Sequence, residues 1–406
     1  MEEIKDKKEL KTEKPMAPEL FWKLQEGVLE KQDIEMLVDF IRTTERFTQF
    51  KQVREFEEAW SAWQGCKYSV FVNSGSSANL VMMRLMKQIY GWKDGDEILV
   101  PAVTWVTNIS PVFQCGLKPV FVDINLEDFS FNYEELEKKI TDRARAIFVT
   151  HLIGFPADMK RINEIAKKHN LQVMEDCCES HGATINGEKV GNFSAVSSFS
   201  FYWGHHMTSV EGGTICTNNP EIYEHSILKR SHGLARELDP VHHNKHREKH
   251  PDIDFNFLFL TDGFNFRNTE FNAVLGLSQI KHLDRYIAIR NTNYQQFLEI
   301  IAPYGEYLES PYNEGISAFC LPFIVKTKEM KNELQRFLQK EGIESRPVIS
   351  GNLLRQPFLK EHGKHTDFPN ADFLHTNAFY IGNNQFVGHE RLSRLKELLN
   401  KFFSRI

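Results

Sequence analysis

The 406-residue sequence predicts an α/β fold, with a large domain built on a mainly parallel seven-stranded sheet between helices and a smaller C-terminal α+β domain. Two observations carry this. Between Tyr68 and Asn218, seven short β-branched or aromatic runs alternate with helical patterns, which is the signature of strands joined by crossover helices. Beyond that region, a long helical stretch leads into a second, shorter set of strand and helix patterns. The expected boundaries are a charged tail over 1–15, a large domain over 16–275 with a helical lead-in, and a small domain over 276–406.

In chain order, the strand candidates are SVFVNSG, EILVPA, PVFVDI, AIFVTHLIG, QVMEDCC, SSFSF and GTICTN. Between them, Ala157 to His169 sets Ile162, Ile165 and Ala166 at helical spacing, and Asn170 is placed to end that helix. Thr269 to Ile301 reads as one helical region, with a possible break near Arg290. Its apolar positions are Phe271, Val274, Leu275 and Leu277, then Ile280, Leu283 and Ile287. The small domain opens with a strand candidate over Ile316 to Thr327 and continues with the helix KNELQRFLQKEG. No internal repeat is visible.

A hydrophobic content of 41%, a charged content of 26% and a net charge of −6 fit a globular enzyme and give no general attraction to nucleic acid or anionic lipid. The first fifteen residues are a charge run without the apolar core of a signal peptide, and no run of 18 apolar residues follows, so a cytoplasmic location is expected. Six cysteines in a chain of this length are too few for a disulfide scaffold, and Cys177–Cys178 reads as a pair of reduced thiols. No CxxC spacing occurs. The histidines 242, 243, 246 and 250 lie in VHHNKHREKHPD, which reads as a charged, Pro-ended loop, so no metal is expected.

Three positions stand where an α/β sheet binds ligands, beyond the carboxyl ends of its strands. Asn73 to Asn79 (NSGSSAN) joins a strand to a helix, and is either an anion site at a helix N-terminus or a plain turn of small residues. Asp176 ends an apolar strand, where a carboxylate needs a cation or a donor; a helix N-cap is the other reading. Trp105 follows a strand and either stacks on a planar ligand or packs in the core. Ser200 precedes His205 by five residues and adds a hydroxyl to the same region.

The ordered set SGSSA, TWVTN, PVFVDI, EDCCESHGA, SFSFYWGHHMTSVEGG and GFNFRNTE resembles the DegT/StrS-type, pyridoxal phosphate (PLP)-dependent sugar aminotransferase family over roughly residues 20–400. The resemblance implies an aminotransferase-like fold of type I. It implies a phosphate cup of Gly75, Ser76, Ser77 and Ser200, a stacking ring at Trp105, and Asp176 opposite the pyridine nitrogen. Glu179 would contact the cofactor's phenolic oxygen, and Asn265 would reach the phosphate in a neighbouring subunit, so a homodimer is expected.

One departure redirects the chemistry. Most members carry at position 205 the lysine that tethers PLP, whereas this sequence has His205, which cannot form that bond but can move protons. The subset with this replacement and the same GHHM run is the 3-dehydratases of deoxysugar biosynthesis. What this implies is a free pyridoxamine phosphate (PMP) regenerated from L-glutamate, and loss of the C3 hydroxyl from a nucleotide-linked 4-keto-6-deoxyhexose. GDP-4-keto-6-deoxymannose, of the colitose route, is the favoured substrate. His206 is the rival of His205. His232, Arg236, Arg267, Arg346 and Asn352 are candidates to hold nucleotide or sugar, or equally surface ion-pair partners. The cysteines lack the close grouping that an iron–sulfur cluster needs, so no iron is expected. An ordinary aminotransferase and a silent binder of PLP and nucleotide sugar are the competing readings.

Overall fold

The computed structural model describes residues 20–405, and the charged run over 1–15 lies outside them. The large sheet contains β1 (Tyr68–Val72), β2 (Glu97–Pro101), β3 (Lys118–Val122), β4 (Ala144–Thr150) and β5 (Gln172–Asp176). A small hairpin of β6 (Thr184–Ile185) and β7 (Glu188–Lys189) follows. The sheet is completed by β8 (Val196–Ser200) and β9 (Gly213–Thr217). The spatial order is β1-β9-β8-β5-β4-β2-β3. Pairings from β8 through β3 are parallel, and β9 alone runs antiparallel to both its neighbours, β1 and β8. Every residue of β2, β8 and β9 is buried, because helices cover both faces. The carboxyl ends of β1, β2, β4, β5 and β8 therefore share one edge.

Helices α1 (Lys31–Thr43) and α2 (Lys51–Gln64) precede the sheet, and α3 (Gly75–Ile89) follows β1. In α3 the buried residues Ala78, Val81, Met82, Leu85 and Met86 recur at three- and four-residue spacing, which turns one stripe to the core. Ser74 caps this helix by accepting from the Ser77 amide at 3.0 Å. The helix expected over 157–169 spans Met159–Lys168, capped by Asp158, and Asn170 ends it with φ of 54°.

Two sequence expectations change. The long helical region breaks at residues 280–282, between helices Glu270–Gln279 and Leu283–Ile301, and not near Arg290. Arg290 stays in mid-helix because its buried guanidinium finds acceptors outside the helix, the carbonyls of Phe319, Asn383 and His205. The histidine-rich segment read as a loop folds into a short helix, His243–Lys249, anchored by His243 Nε2 donating to the Leu238 carbonyl at 2.9 Å.

The C-terminal sheet is antiparallel, with β10 (Leu308–Glu309), β11 (Cys320–Val325), β12 (Ser345–Arg346) and β13 (Ala378–Gly382) in the order β10-β11-β13-β12. Phe323 stacks on Phe379 across this sheet at 4.8 Å. The lead-in segment lies against it. Trp22 is fully buried, pairs with Ile343, and donates its indole N–H to the Gly382 carbonyl at 2.9 Å. The chain thus closes a cleft between the carboxyl edge of the large sheet and the small sheet.

Candidate active site

That cleft holds a cavity of about 510 Å³, in the range of small-molecule sites. Its walls come from the loops after β1, β2, β4, β5 and β8 on one side and from β11, β12 and β13 on the other. Of the residues singled out in the sequence, Gly75, Ser76, Trp105, Asp176, Glu179, Ser200, His205 and Arg346 meet there.

Gly75 starts α3, so the first free amides of a fifteen-residue helix border the cavity, where an anion is favoured. Ser200 and Cys178 close in on it. A Cβ at position 75 would lie 2.6 Å from Ser200 Cβ and 2.9 Å from Cys178 Sγ, so only glycine fits. Ser77, also expected in the cup, does not line the cavity. Its amide and hydroxyl are both bonded to Ser74 Oγ, which completes the cap, and Ser74 takes its place in the wall. We expect Gly75→Ala to destabilise the fold by about 1–3 kcal/mol through overpacking, read as a lower urea midpoint. An unchanged midpoint would show the contact to be slack.

Asp176 is 4% exposed yet lines the cavity. Its Oδ2 accepts from Asn79 Nδ2 at 2.8 Å and its Oδ1 from the Cys178 amide at 2.9 Å, while Asn79 Oδ1 accepts from Ser198 Oγ at 2.6 Å. The carboxylate is thereby fixed in direction by α3, by the turn that follows β5 and, through Asn79, by β8. Glu179 stands beside it and accepts from the Ile153 amide at 2.9 Å. Burial pushes the Glu179 carboxyl up to about 8 against that hydrogen bond, and the Asp176 charge adds to the rise. Trp105 is 53% exposed, with its ring open to the cavity and not committed to the core.

His205 lines the cavity, whereas His206 is fully buried behind it, within 3.2 Å of the Ser317 carbonyl and 3.4 Å of His181. The geometry separates the two rivals. Burial pushes the His205 imidazole down to about 3, and the nearby Arg290 guanidinium adds to this, so the ring is a free base at neutral pH. None of the described residues lining the cavity is a lysine.

Burial also holds His181 and His206 well below their ordinary value of 6.5. Below that pH the unfolded chain takes up more protons than the folded one, so the contribution of these rings is fully present above 6.5 and is lost as pH falls. With His205, pushed down in the same way, three such sites give a slope of about 3–4 kcal/mol per pH unit between pH 6 and 5. The expected result is a urea midpoint that drops over this interval and drops less in His206→Gln; equal slopes in both proteins would refute it.

The remaining candidates lie elsewhere. Asn352 is fully buried and structural: its Oδ1 accepts from the Leu354 amide at 3.0 Å, and its Nδ2 donates to the His365 carbonyl at 3.1 Å and to Asp372 Oδ1 at 3.4 Å. Arg236 donates to the Asn256 carbonyl at 2.7 Å and lies over the Phe257 ring. His232 is held by its backbone against Phe264, and Arg267 donates to Asn265 Oδ1 at 3.1 Å. None of these four borders this chain's own cavity, and neither does the exposed Asn265. Two residues of the site escaped the sequence reading. Asn79 was visible as a polar residue in the apolar stripe of α3, and Arg290 as a cation at core spacing with Tyr286, Asn293, Tyr294 and Phe297.

Comparison with known proteins gives the same architecture. The chain is 33% identical over 379 residues to GDP-4-keto-6-deoxy-D-mannose 3-dehydratase of Escherichia coli O55:H7, covering 91% of this chain and 96% of that one. A solved structure of the E. coli GDP-4-keto-6-deoxy-D-mannose-3-dehydratase with bound hydrated PLP superposes with a TM-score of 0.87 at 31% identity, covering 94% of this chain and 100% of the other. A GDP-4-keto-6-deoxymannose-3-dehydratase with a trapped PLP–glutamate geminal diamine gives 0.86 at 31% identity, covering 93% and 100%. The family model described as DegT/DnrJ/EryC1/StrS aminotransferase matches residues 28–399, and with nearly every described residue inside that match the chain belongs to this family.

Proposed function

We propose that this protein is a PLP/PMP-dependent 3-dehydratase that removes the C3 hydroxyl of a nucleotide-linked 4-keto-6-deoxyhexose, with GDP-4-keto-6-deoxymannose as substrate. One observation carries the reading: a neutral imidazole, His205, occupies the cavity wall, and none of the described residues lining it is a lysine. The relatives named above support the substrate and the amino donor, L-glutamate.

The cavity suits the cofactor. The N-terminus of α3, closed off by Ser200, offers amides and hydroxyls to a phosphate, and Gly75 leaves the space that a Cβ would fill. Asp176 would present a carboxylate to the pyridine nitrogen, Trp105 would stack on the ring, and Glu179, protonated at neutral pH, would donate to the phenolic oxygen. When bound, the aminated cofactor supplies an amine for the C4 ketone and a ring that accepts and returns electrons. His205 takes a proton at its ring nitrogen and delivers it to the oxygen leaving C3, joining base and acid work in one side chain. Arg346, on the small sheet at the cavity mouth, suits a diphosphate because a guanidinium binds phosphate bidentately.

Asn265, exposed and away from this chain's own cavity, reaches the phosphate in a neighbouring subunit, so the working form is a homodimer. The enzyme acts in the cytoplasm on a free nucleotide sugar; among the described residues no helix is long and apolar enough to cross a membrane. The net reaction consumes one glutamate for each C3–O bond broken and yields 2-oxoglutarate, ammonia and a 3-deoxy ketosugar. Incubation with PLP, glutamate and GDP-4-keto-6-deoxymannose tests it. Ammonia and deoxysugar in equal amounts are expected. An amino sugar would mark an aminotransferase, and no turnover across a panel of nucleotide-linked 4-ketosugars would mark a silent binder.

A further inference from the structure

None of the roles above uses His181, which lies directly behind His205. It is fully buried among the rings of Trp60, Phe199 and Phe201. Its protonation pattern follows from the buried end of the cluster. The Ser317 carbonyl can only accept, so at 3.2 Å from His206 Nε2 it makes that nitrogen the protonated one. The Ser317 hydroxyl, 3.1 Å from the same nitrogen, has its proton engaged with the His181 carbonyl at 2.6 Å and is also an acceptor there.

A neutral imidazole carries one N–H, so His206 Nδ1 bears a lone pair. His181 Nδ1, 3.4 Å away, must then be the donor between them. That leaves a lone pair on His181 Nε2, which is buried and has no partner. Both rings are neutral, since burial and the Arg290 charge oppose their protonation. The groups acting on His181 are His205, Arg290 and the Ser200 backbone, with no carboxylate among them, and no atom stands in hydrogen-bonding geometry to Nε2.

The other buried ring nitrogen without a partner in this cluster is His205 Nδ1. The His181 and His205 rings are 6.1 Å apart between centroids, against 5.4 Å for His181 and His206, which are already in contact. We propose that His181 is a positioning residue that sets the tautomer of His205: His181 Nε2 accepts from His205 Nδ1–H, directly after a small turn of the ring or through one water. The two orphaned nitrogens then satisfy each other. His205 is left with its lone pair on Nε2, facing the cavity, as the proton acceptor. Free imidazoles in water favour the opposite tautomer, so a relay from Ser317 through His206 and His181 is what makes His205 ready to act. The logic is that of a base oriented by a third group.

The inference rests on the proposed function only in naming His205 as the base, and its primary test does not depend on turnover. Full-length protein reconstituted with PLP and labelled with ¹⁵N-histidine reports the tautomer of each ring, the His205 signals being those lost in His205→Asn. The expected result is Nδ1–H for His205. In His181→Asn, whose amide keeps a donor toward His206 but has no atom at the Nε2 position, His205 should change to Nε2–H. The kcat should fall by about 10–100-fold with KM for the nucleotide sugar unchanged. His181→Phe should give the same change, and His181→Asn stands alone if the bulkier variant does not fold. A His205 protonated on Nε2 in the unmodified protein, or unaltered in His181→Asn, overturns the proposal. The stated tautomer in a protein without dehydratase activity upholds it and removes only the functional reading.

Discussion

His205→Asn is expected to lower kcat for dehydration by about 10²–10⁴-fold, the range for loss of a general acid–base, with KM for the nucleotide sugar nearly unchanged. The loss should be this large because no neighbour can stand in. Glu179 is pushed up to about 8 and carries its proton at neutral pH, and His181 and His206 are fully buried behind the wall. A second variant separates proton transfer from tethering. His205→Lys places an amine in the cavity wall, so borohydride should fix PLP to this variant and give it a visible absorption band. The unmodified protein should yield no covalent adduct. An adduct on the unmodified enzyme, mapped to any lysine, would sink the assignment, as would near-normal dehydration by His205→Asn.

The parts of this site that were legible in the sequence are those whose residue type is unusual for its local structure. A glycine–serine turn between strand and helix, a carboxylate closing an apolar strand and an imidazole pair after the next strand each break the apolar pattern, and all three end on one edge of the sheet. The strands were legible because parallel strands covered on both faces read as continuous apolar runs, as in β2. Tertiary partners were not legible. Arg290 lies on a helix more than eighty residues from His205, and only folding brings its guanidinium to the His205 carbonyl at 3.3 Å. Local composition also misled. In RPVISGN the polar Asn352 suggested a ligand contact, but in the folded chain it caps a short helical turn and is fully buried. The helix expected to break at Arg290 continues through it because a buried cation needs acceptors, and carbonyls of the small domain provide them. The arginines weighed as nucleotide ligands divided for a similar reason: Arg346 lies on β12, which faces the cavity, whereas Arg236 lies on a surface turn.

Asp176→Asn is the sharpest test of the cofactor's orientation, because the hydrogen-bond network lets it remove charge and little else. The Cys178 amide cannot turn, so the oxygen of the introduced side-chain amide must stay opposite it, and the new NH₂ faces Asn79. Asn79 can answer by flipping its own amide. Its oxygen then accepts from residue 176 and its NH₂ donates to Ser198 Oγ, a hydroxyl able to accept where it now donates. Every polar atom keeps a partner, so the unfolding midpoint should stay close to that of the unmodified protein. Activity should not. If Asp176 faces the pyridine nitrogen as proposed, a neutral amide in its place is expected to lower kcat by about 10²–10³-fold at saturating cofactor, as for loss of one preorganised electrostatic contact. Asp176→Ala supplies the contrast. It leaves the Asn79 and Cys178 donors buried without an acceptor, which costs about 1–3 kcal/mol for each, so this variant should lose both activity and stability. Should Asp176→Asn keep its rate while Asp176→Ala unfolds early, the carboxylate would be a strand-end brace for α3 and β8, and the electron-accepting ring would have to be oriented by another group.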